Sequence, residues 1–182
     1  MQTGFLAWLF AALACAGNAY ATPAATPDIY KIAAPEVNRI FGGDRQDTFV
    51  NDGLLREAVL GSIGEPDDPR ELRDGSTMMT GCRPHSCMEK GAVIVNGASK
   101  QLRAAAILHF HCRLALLESE TLDTPPGNKC DTDPTLEIFV IRRNGTPAAL
   151  KQELGYVREL EAWGKAQQFK YEFTHVKKVP PR

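Results

Sequence analysis

The alternation of apolar and polar positions is clearest between residues 103 and 118, which read RAAAILHFHCRLALLE. A period of two predicts a half-buried β-strand with its histidines on a solvated face. The Ala and Leu content would also tolerate a helix, but Asn96-Gly97 just upstream is a strong signal for a two-residue hairpin, which favours a strand. One face of this strand carries Ala106, Leu108, Phe110, Cys112, Leu114 and Leu116, and the other carries Ile107, His109, His111 and Arg113.

Three further segments have the pattern of strands. They are residues 76–80, the apolar run AVIV at 92–95, and LEIFVIRR at 136–143. Strict alternation in FKYEFTHV, residues 169–176, predicts a last strand with its aromatic side chains pointing inward. Between these segments, residues 64–76 are polar and contain proline, which predicts a loop.

Two segments have helical spacing of apolar residues. Residues 52–63 place Leu and Val on one face, and Asp52 could cap that helix. Residues 148–165 follow Thr146-Pro147, a cap with proline in the first turn. The apolar face predicted for this second helix comprises Leu150, Leu154, Val157, Leu160 and Trp163. Helices and a mostly antiparallel sheet in mixed order predict a single α+β domain.

The N-terminus has the pattern of an export signal. The apolar run from Gly4 to Cys15 is shorter than a membrane span, and Ala19-Tyr20-Ala21 predicts cleavage before Thr22. We therefore expect a signal peptide at 1–21, an N-terminal arm at 22–45 and a periplasmic mature chain with no membrane partner. Lipid anchoring through Cys15 is the alternative. The formal net charge of −1 argues against a nucleic-acid partner, which would favour a basic surface.

Export changes how the cysteines are interpreted. After cleavage four of the five cysteines remain, and an even number in an exported domain predicts two disulfides with three possible connectivities. Pairing of sequence neighbours, Cys82–Cys87 and Cys112–Cys130, is the simplest. The chain-entropy model gives these bonds roughly 2 and roughly 3 kcal/mol of stabilisation.

A Cys82–Cys87 bond would close a ring around only four residues, CRPHSC. Pro84 removes backbone freedom within the ring, so that Arg83 and His85 are held at a tight turn. Rigid display of polar side chains favours binding, because the entropy cost of ordering is met before contact.

The motif GCRPHSC, between a short strand and an apolar strand, resembles the signature loop of the Ivy family, periplasmic inhibitors of vertebrate (C-type) lysozyme. The family carries Cys-Lys-Pro-His-Asp-Cys at this place, which Cys82, Pro84, His85 and Cys87 match. Arg83 keeps the charge of the family's lysine, whereas Ser86 replaces its aspartate. The similarity covers about residues 50–118 and does not include the Cys112–Cys130 pair.

This resemblance implies an inhibitor domain at 46–182 that is neither an enzyme nor dependent on a cofactor. It implies that the loop enters the lysozyme cleft and that His85 approaches the two catalytic carboxylates, with Arg83 and Ser86 as supporting contacts and Pro84 as a stiffener. Family members can dimerise, so a homodimer is an open expectation.

Other interpretations compete with the inhibitor hypothesis. The ring could be a hairpin staple with a solvated histidine, and a redox role is disfavoured because oxidoreductases place two residues between their cysteines. His109 and His111 could share a metal ion, although solvated histidines are the simpler interpretation. A periplasmic binding module of the same fold with a different partner is the other alternative.

Overall fold

The fold is α+β, as the sequence predicts, and helices cover both faces of one central sheet. The computed structural model describes residues 29–46, 48, 52–110, 112–113, 129–130, 133–143, 145–167 and 174–182. The described helices are α1 (Ile29–Phe41), α2 (Leu55–Gly61) and α3 (Pro147–Lys165). The described strands are β1 (Arg45–Gln46), β2 (Gly53–Leu54), β3 (Glu65–Pro66), β4 (Arg70–Glu71), β5 (Ser76–Arg83), β6 (Ser86–Asn96), β7 (Leu102–His109), β8 (Cys112–Arg113), β9 (Lys129–Cys130), β10 (Thr135–Ile141) and β11 (Thr174–Val179).

The central sheet has the strand order β11-β10-β7-β6-β5-β3, and β4 also pairs with β5. Its pairs are antiparallel except β10 with β11, which are parallel. Parallel neighbours need a crossover connection, and α3 lies in the chain between these two strands. Because β6 runs away from the β5–β6 turn, the β6–β7 turn lies at the opposite end of the sheet.

Strand β7 is buried along its whole length, on both faces. The face that carries Ile107 packs with α1 and α2, and the face that carries Leu108 packs with α3. The predicted alternation of β7 is therefore confirmed, but the expectation of a solvated histidine face is wrong for His109, which is 0% exposed. The helices over that face exclude water from it.

Helix α1 occupies residues that the sequence analysis assigned to an N-terminal arm. Ala33, Val37, Ile40 and Phe41 follow helical spacing and are all fully buried in the core. The proline at position 35 lies inside the helix on an exposed position, and its usual helix-breaking tendency obscured the pattern.

Helix α3 begins as predicted, and its predicted apolar face is confirmed in part: Leu160 is fully buried, and Val157 and Trp163 pack against the same core cluster. Thr146 caps it by accepting a hydrogen bond from the Ala149 N–H at 3.3 Å, with proline in the first turn. Leu150 and Leu154, expected in the core, are each 47% exposed. The buried positions are Glu153, Tyr156, Leu160 and Gly164.

Two local predictions are wrong. Asp52 does not cap α2: the cap position is Leu54, without a side-chain hydrogen bond, and Asp52 instead accepts hydrogen bonds from Arg45. Asn96-Gly97 does not form a two-residue hairpin, because the Asn96 N–H donates to the carbonyl of Gln101. The Asn96 side chain accepts from two backbone N–H groups within this longer turn.

Several predictions concern residues outside the described ranges. These are the signal peptide with Cys15, the side chain of His111 and the inward aromatic residues Phe169, Tyr171 and Phe173. No helix in the described part of the chain has the length and the apolar run that a bilayer crossing would require.

Candidate functional site

The candidate site is the turn that joins β5 to β6, hereafter the tip, residues 83–89. The predicted disulfide between Cys82 and Cys87 is present, with the two Cα atoms 4.8 Å apart. Arg83 pairs with Ser86, which leaves Pro84 and His85 as the two central turn residues. The covalent ring therefore lies at the end of a long hairpin, as the sequence predicts.

The backbone of the tip displays the imidazole outward. His85 has a φ of 64°, in the left-handed region, and follows a proline, a combination typical of a type II turn. That region costs a non-glycine residue roughly 1–2 kcal/mol. Both Pro84 and His85 are exposed, and Ser86 is half-buried. The ring and the proline hold His85 in this conformation while its side chain faces solvent.

A bulge follows the turn. Cys82 pairs with Lys90, whereas Arg83 pairs with Ser86, so residues 87–89 have no partner in β5. Neighbouring side chains in this bulge differ sharply in burial: Met88 is 51% exposed and Glu89 only 6%. The bulge thus presents a large apolar side chain to solvent beside the histidine turn.

The buried carboxylate of Glu89 is paired. Arg83 donates from Nη1 to Oε2 of Glu89 at 2.6 Å, and the arginine side chain is itself 41% exposed. A buried charge needs such a partner, because desolvation without one is costly. The pair links the turn to the bulge across the ring.

Gly64 and Glu65, at the start of β3, contact the tip and its disulfide. A Cβ added to Gly64 would lie 2.8 Å from Cδ of Pro84, so the proline ring rests directly on this glycine. Oε2 of Glu65 lies 3.4 Å from Sγ of Cys87 and 3.6 Å from Sγ of Cys82. Disulfide sulfurs carry no proton, so these are contacts and not hydrogen bonds. Because the sulfurs are joined to each other, this group also lacks the thiolates that a metal site would use.

The second predicted disulfide, Cys112–Cys130, stays a prediction. Strands β8 and β9 are antiparallel, and their register places these two residues directly opposite each other. Opposed residues in antiparallel strands have Cα separations of about 4.5–5.5 Å, within the range of disulfides. The side chains of both residues are outside the described part.

Of the two histidines predicted to share a strand face, the structure describes only His109. His109 is fully buried, and its Nε2 lies 3.5 Å from Oε2 of Glu137, at the long end of the hydrogen-bond range. His111 lies outside the described residues. The structure accordingly places His109 in a polar cluster of the core and leaves a shared metal site with His111 as a prediction.

Glu137 is the centre of that polar cluster. Lys177 donates from Nζ to Glu137 Oε1 at 3.0 Å and to Gln46 Oε1 at 2.6 Å, and Gln46 also donates to Glu137. Burial raises the pKa of Glu137, but hydrogen bonds with His109 and Lys177 and the charge of Lys177 outweigh it and lower that pKa to about 2. The cluster connects β1, β7, β10 and β11, and at neutral pH the negative charge of Glu137 is paired with the positive charge of Lys177.

A second polar cluster lies on the other face of the sheet, beside a cavity of about 160 Å³. Tyr156 donates to Oδ2 of Asp74 at 2.7 Å, and the buried Ser76 hydroxyl lies 3.2 Å from both side chains. Burial, together with the hydrogen bond and charge of Asp74, raises the pKa of Tyr156 to about 12. These bonds fix α3 to the start of β5, which is a structural role.

Sequence reasoning located the four residues within the ring but missed their supports. Met88 and Glu89 were not singled out, and the place of Glu65 beside the ring was not predicted, because these relations depend on the bulge and on the pairing of β3 with β5. The apolar-acidic pair Met88-Glu89 directly after Cys87 is the one signal that was available.

Comparisons of the chain with protein-family models, with curated proteins and with solved structures give no match.

Proposed function

We propose that the protein inhibits C-type lysozyme by inserting the tip, with His85 at its apex, into the active-site cleft. The observation that carries this proposal is the exposed imidazole on a turn closed by the Cys82–Cys87 disulfide. The resemblance of CRPHSC to the Ivy loop supplies the target class.

The chemistry of the target matches the tip. Lysozyme hydrolyses its substrate with one carboxylic acid of raised pKa and one ionised carboxylate, set close together. An imidazole offers donors at both ring nitrogens when protonated, and a donor and an acceptor when neutral. His85 can therefore satisfy both carboxyl groups, and an inhibitor that occupies them blocks access of the substrate.

The supporting residues divide their roles in this proposal. Arg83 keeps the turn in place through its ion pair with Glu89, and the exposed part of its guanidinium offers further N–H donors to the carboxylates of the cleft. Pro84 and the disulfide reduce the freedom that the tip loses on binding, which favours affinity. Ser86 contributes neutral hydrogen bonding where the family carries a charge.

The test is a lysozyme activity assay with the purified protein. We expect the parent to inhibit, and His85→Asn to lose about 30-fold or more in potency, as for a central hot-spot residue. Asparagine tolerates the left-handed conformation, so this change removes the imidazole and leaves the turn. His175→Ala, an exposed histidine on the opposite edge strand, is the matched control and should inhibit like the parent.

A Cys82→Ser/Cys87→Ser double variant tests the ring separately. Its potency should fall even if the fold persists, because the open loop has to be ordered on binding. Equal potency of the parent, His85→Asn and the double variant would exclude the tip from the mechanism. If the parent inhibits no C-type lysozyme, the alternative of a different periplasmic partner replaces this proposal.

A further inference from the structure

The bulge adds an apolar group to a tip whose sequence motif is polar. Met88 is 51% exposed, and the other large hydrophobic residues of comparable exposure in the described part lie elsewhere: Leu150 and Leu154 on α3, and Val176 on the edge strand β11. The sheet order places β11 at the edge farthest from β5. Met88 is thus set apart from them, one residue from the ring.

The outward position of Met88 is imposed by its neighbours. Cys87 is tied to Cys82, and Glu89 is turned inward to pair with Arg83. Successive side chains in an extended chain point to opposite sides, so an inward Glu89 leaves Met88 outward. Exposing a large apolar side chain that its neighbours fix in place has a cost for the free protein that contact with a partner would remove.

We propose that Met88 is a contact residue of the tip and packs on an apolar or aromatic wall of the lysozyme cleft beside the catalytic acid. This inference rests on the proposed function. A carboxylic acid of raised pKa requires an apolar surrounding, so the wall next to it is hydrophobic. A thioether is suited to such a wall, because methionine adapts to irregular surfaces and makes favourable contacts with aromatic rings.

The inhibition assay distinguishes this contact from the role of His85. Met88→Ser should weaken inhibition about tenfold, as expected for a buried apolar contact, while Met88→Leu retains potency. Leu154→Ser, which removes a side chain of similar exposure on α3, is the control and should inhibit like the parent. Thermal midpoints of all variants should stay close to that of the parent, because the altered side chains are exposed.

Oxidation and NMR give two readouts that need no substitution. Met78 and Met79 are 2% and 1% exposed, so mild peroxide should oxidise Met88 selectively, as peptide mass mapping would show, and should weaken inhibition to the same degree. In protein labelled at its methionine methyl groups, lysozyme should shift the Met88 signal and leave the signals of the buried Met78 and Met79 unchanged.

Potency of Met88→Ser equal to the parent, in an assay where His85→Asn loses potency, would overturn this inference and leave the proposed function standing. A Met88 methyl signal that does not respond to bound lysozyme would do the same. A parent that inhibits no C-type lysozyme overturns both proposals.

Discussion

Nη1 of Arg83 lies 2.6 Å from Oε2 of Glu89, and this ion pair joins the turn that carries His85 to the bulge that carries Met88. The carboxylate is buried, whereas the guanidinium is partly exposed. The pair therefore acts within the tip before any partner arrives. The pair holds the turn against the bulge in addition to the disulfide.

A double-mutant cycle on this pair should reveal measurable coupling. We expect Arg83→Gln and Glu89→Gln to interact by about 1 kcal/mol in urea unfolding, above the value typical of exposed pairs, because one partner is desolvated. The control cycle on Arg70 and Glu159, whose side chains are 57% and 40% exposed at 2.9 Å, should give less than about 0.5 kcal/mol. Equal coupling in both cycles would contradict a special role for Glu89.

The contact between Gly64 and Pro84 predicts that a single methyl group disturbs the tip. In Gly64→Ala the new Cβ would lie 2.8 Å from Cδ of Pro84, so the proline ring has to shift. We expect destabilisation of about 1–3 kcal/mol and weaker inhibition. Gly61→Ala is the matched control, because nothing lies within 4 Å of its added Cβ. A Gly64→Ala protein with the stability and potency of the parent would show that the proline is not seated there.

A substitution at Ser86 should strengthen inhibition, whereas His85→Asn and Met88→Ser in the same tip weaken it. Under the proposed function, Ser86→Asp, which introduces the aspartate of the loop that CRPHSC resembles, should strengthen inhibition of C-type lysozyme by about tenfold or more, because a charge-assisted hydrogen bond contributes roughly 1–3 kcal/mol. Ser99→Asp, in the turn at the opposite end of the sheet, changes the net charge equally and should have a much smaller effect. Similar gains in both variants would mean that net charge alone sets the affinity.

The sequence located the tip well because its determinants are local. The disulfide around four residues and the proline are read within CRPHSC, and a strand is predicted from the segment on each side of it; the exposure of His85 follows from them. The burial of His109 and Glu89 could not be read in this way. His109 is buried because α1 and α2, from elsewhere in the chain, cover that face of the sheet. Glu89 is buried because a bulge in the β5–β6 pairing turns it inward.

In the helices, too, local signals were predicted correctly and features set by tertiary contacts were not. The cap at Thr146 is a local signal and is confirmed, whereas the buried face of α3 is set by Tyr156 bonding to Asp74 across the fold. Helix α1 was missed because Pro35 weighs against a helix locally, while packing against the sheet favours one. Tertiary contacts outweigh local propensity at both places.

The register of β8 and β9 predicts the second disulfide directly. Because Cys112 and Cys130 are opposed, protein produced without residues 1–21, the predicted signal peptide, should contain no free thiol, and a non-reducing digest should yield one peptide pair joined through these residues. Alkylation before reduction should add no mass. Two alkylated cysteines, or a bond from Cys112 to the tip, would exclude the predicted connectivity.

The polar cluster around Glu137 predicts how stability depends on pH. The pKa of Glu137 is lowered from 4.5 to about 2 in the folded protein, because bonds with His109 and Lys177 outweigh the effect of burial. A lowered pKa stabilises the fold above pH 4.5, and that contribution is lost as the pH falls from about 5 to 2. It amounts to on the order of 3 kcal/mol. Urea unfolding across this range should therefore show a steep loss of stability.

The variant Glu137→Gln separates this carboxylate from the others. We expect it to be less stable than the parent at pH 7 and to have a shallower slope between pH 5 and 2, so that the two curves converge in acid. Asp74 leaves a residual slope, because burial raises its pKa but hydrogen bonds from Gln152 and Tyr156 outweigh this and lower it. Glu159→Gln, which removes an exposed carboxylate, should retain the slope of the parent. If Glu137→Gln also retains that slope, the carboxylate does not control acid unfolding, and the cluster of Lys177 and His109 around it does not stabilise its charge.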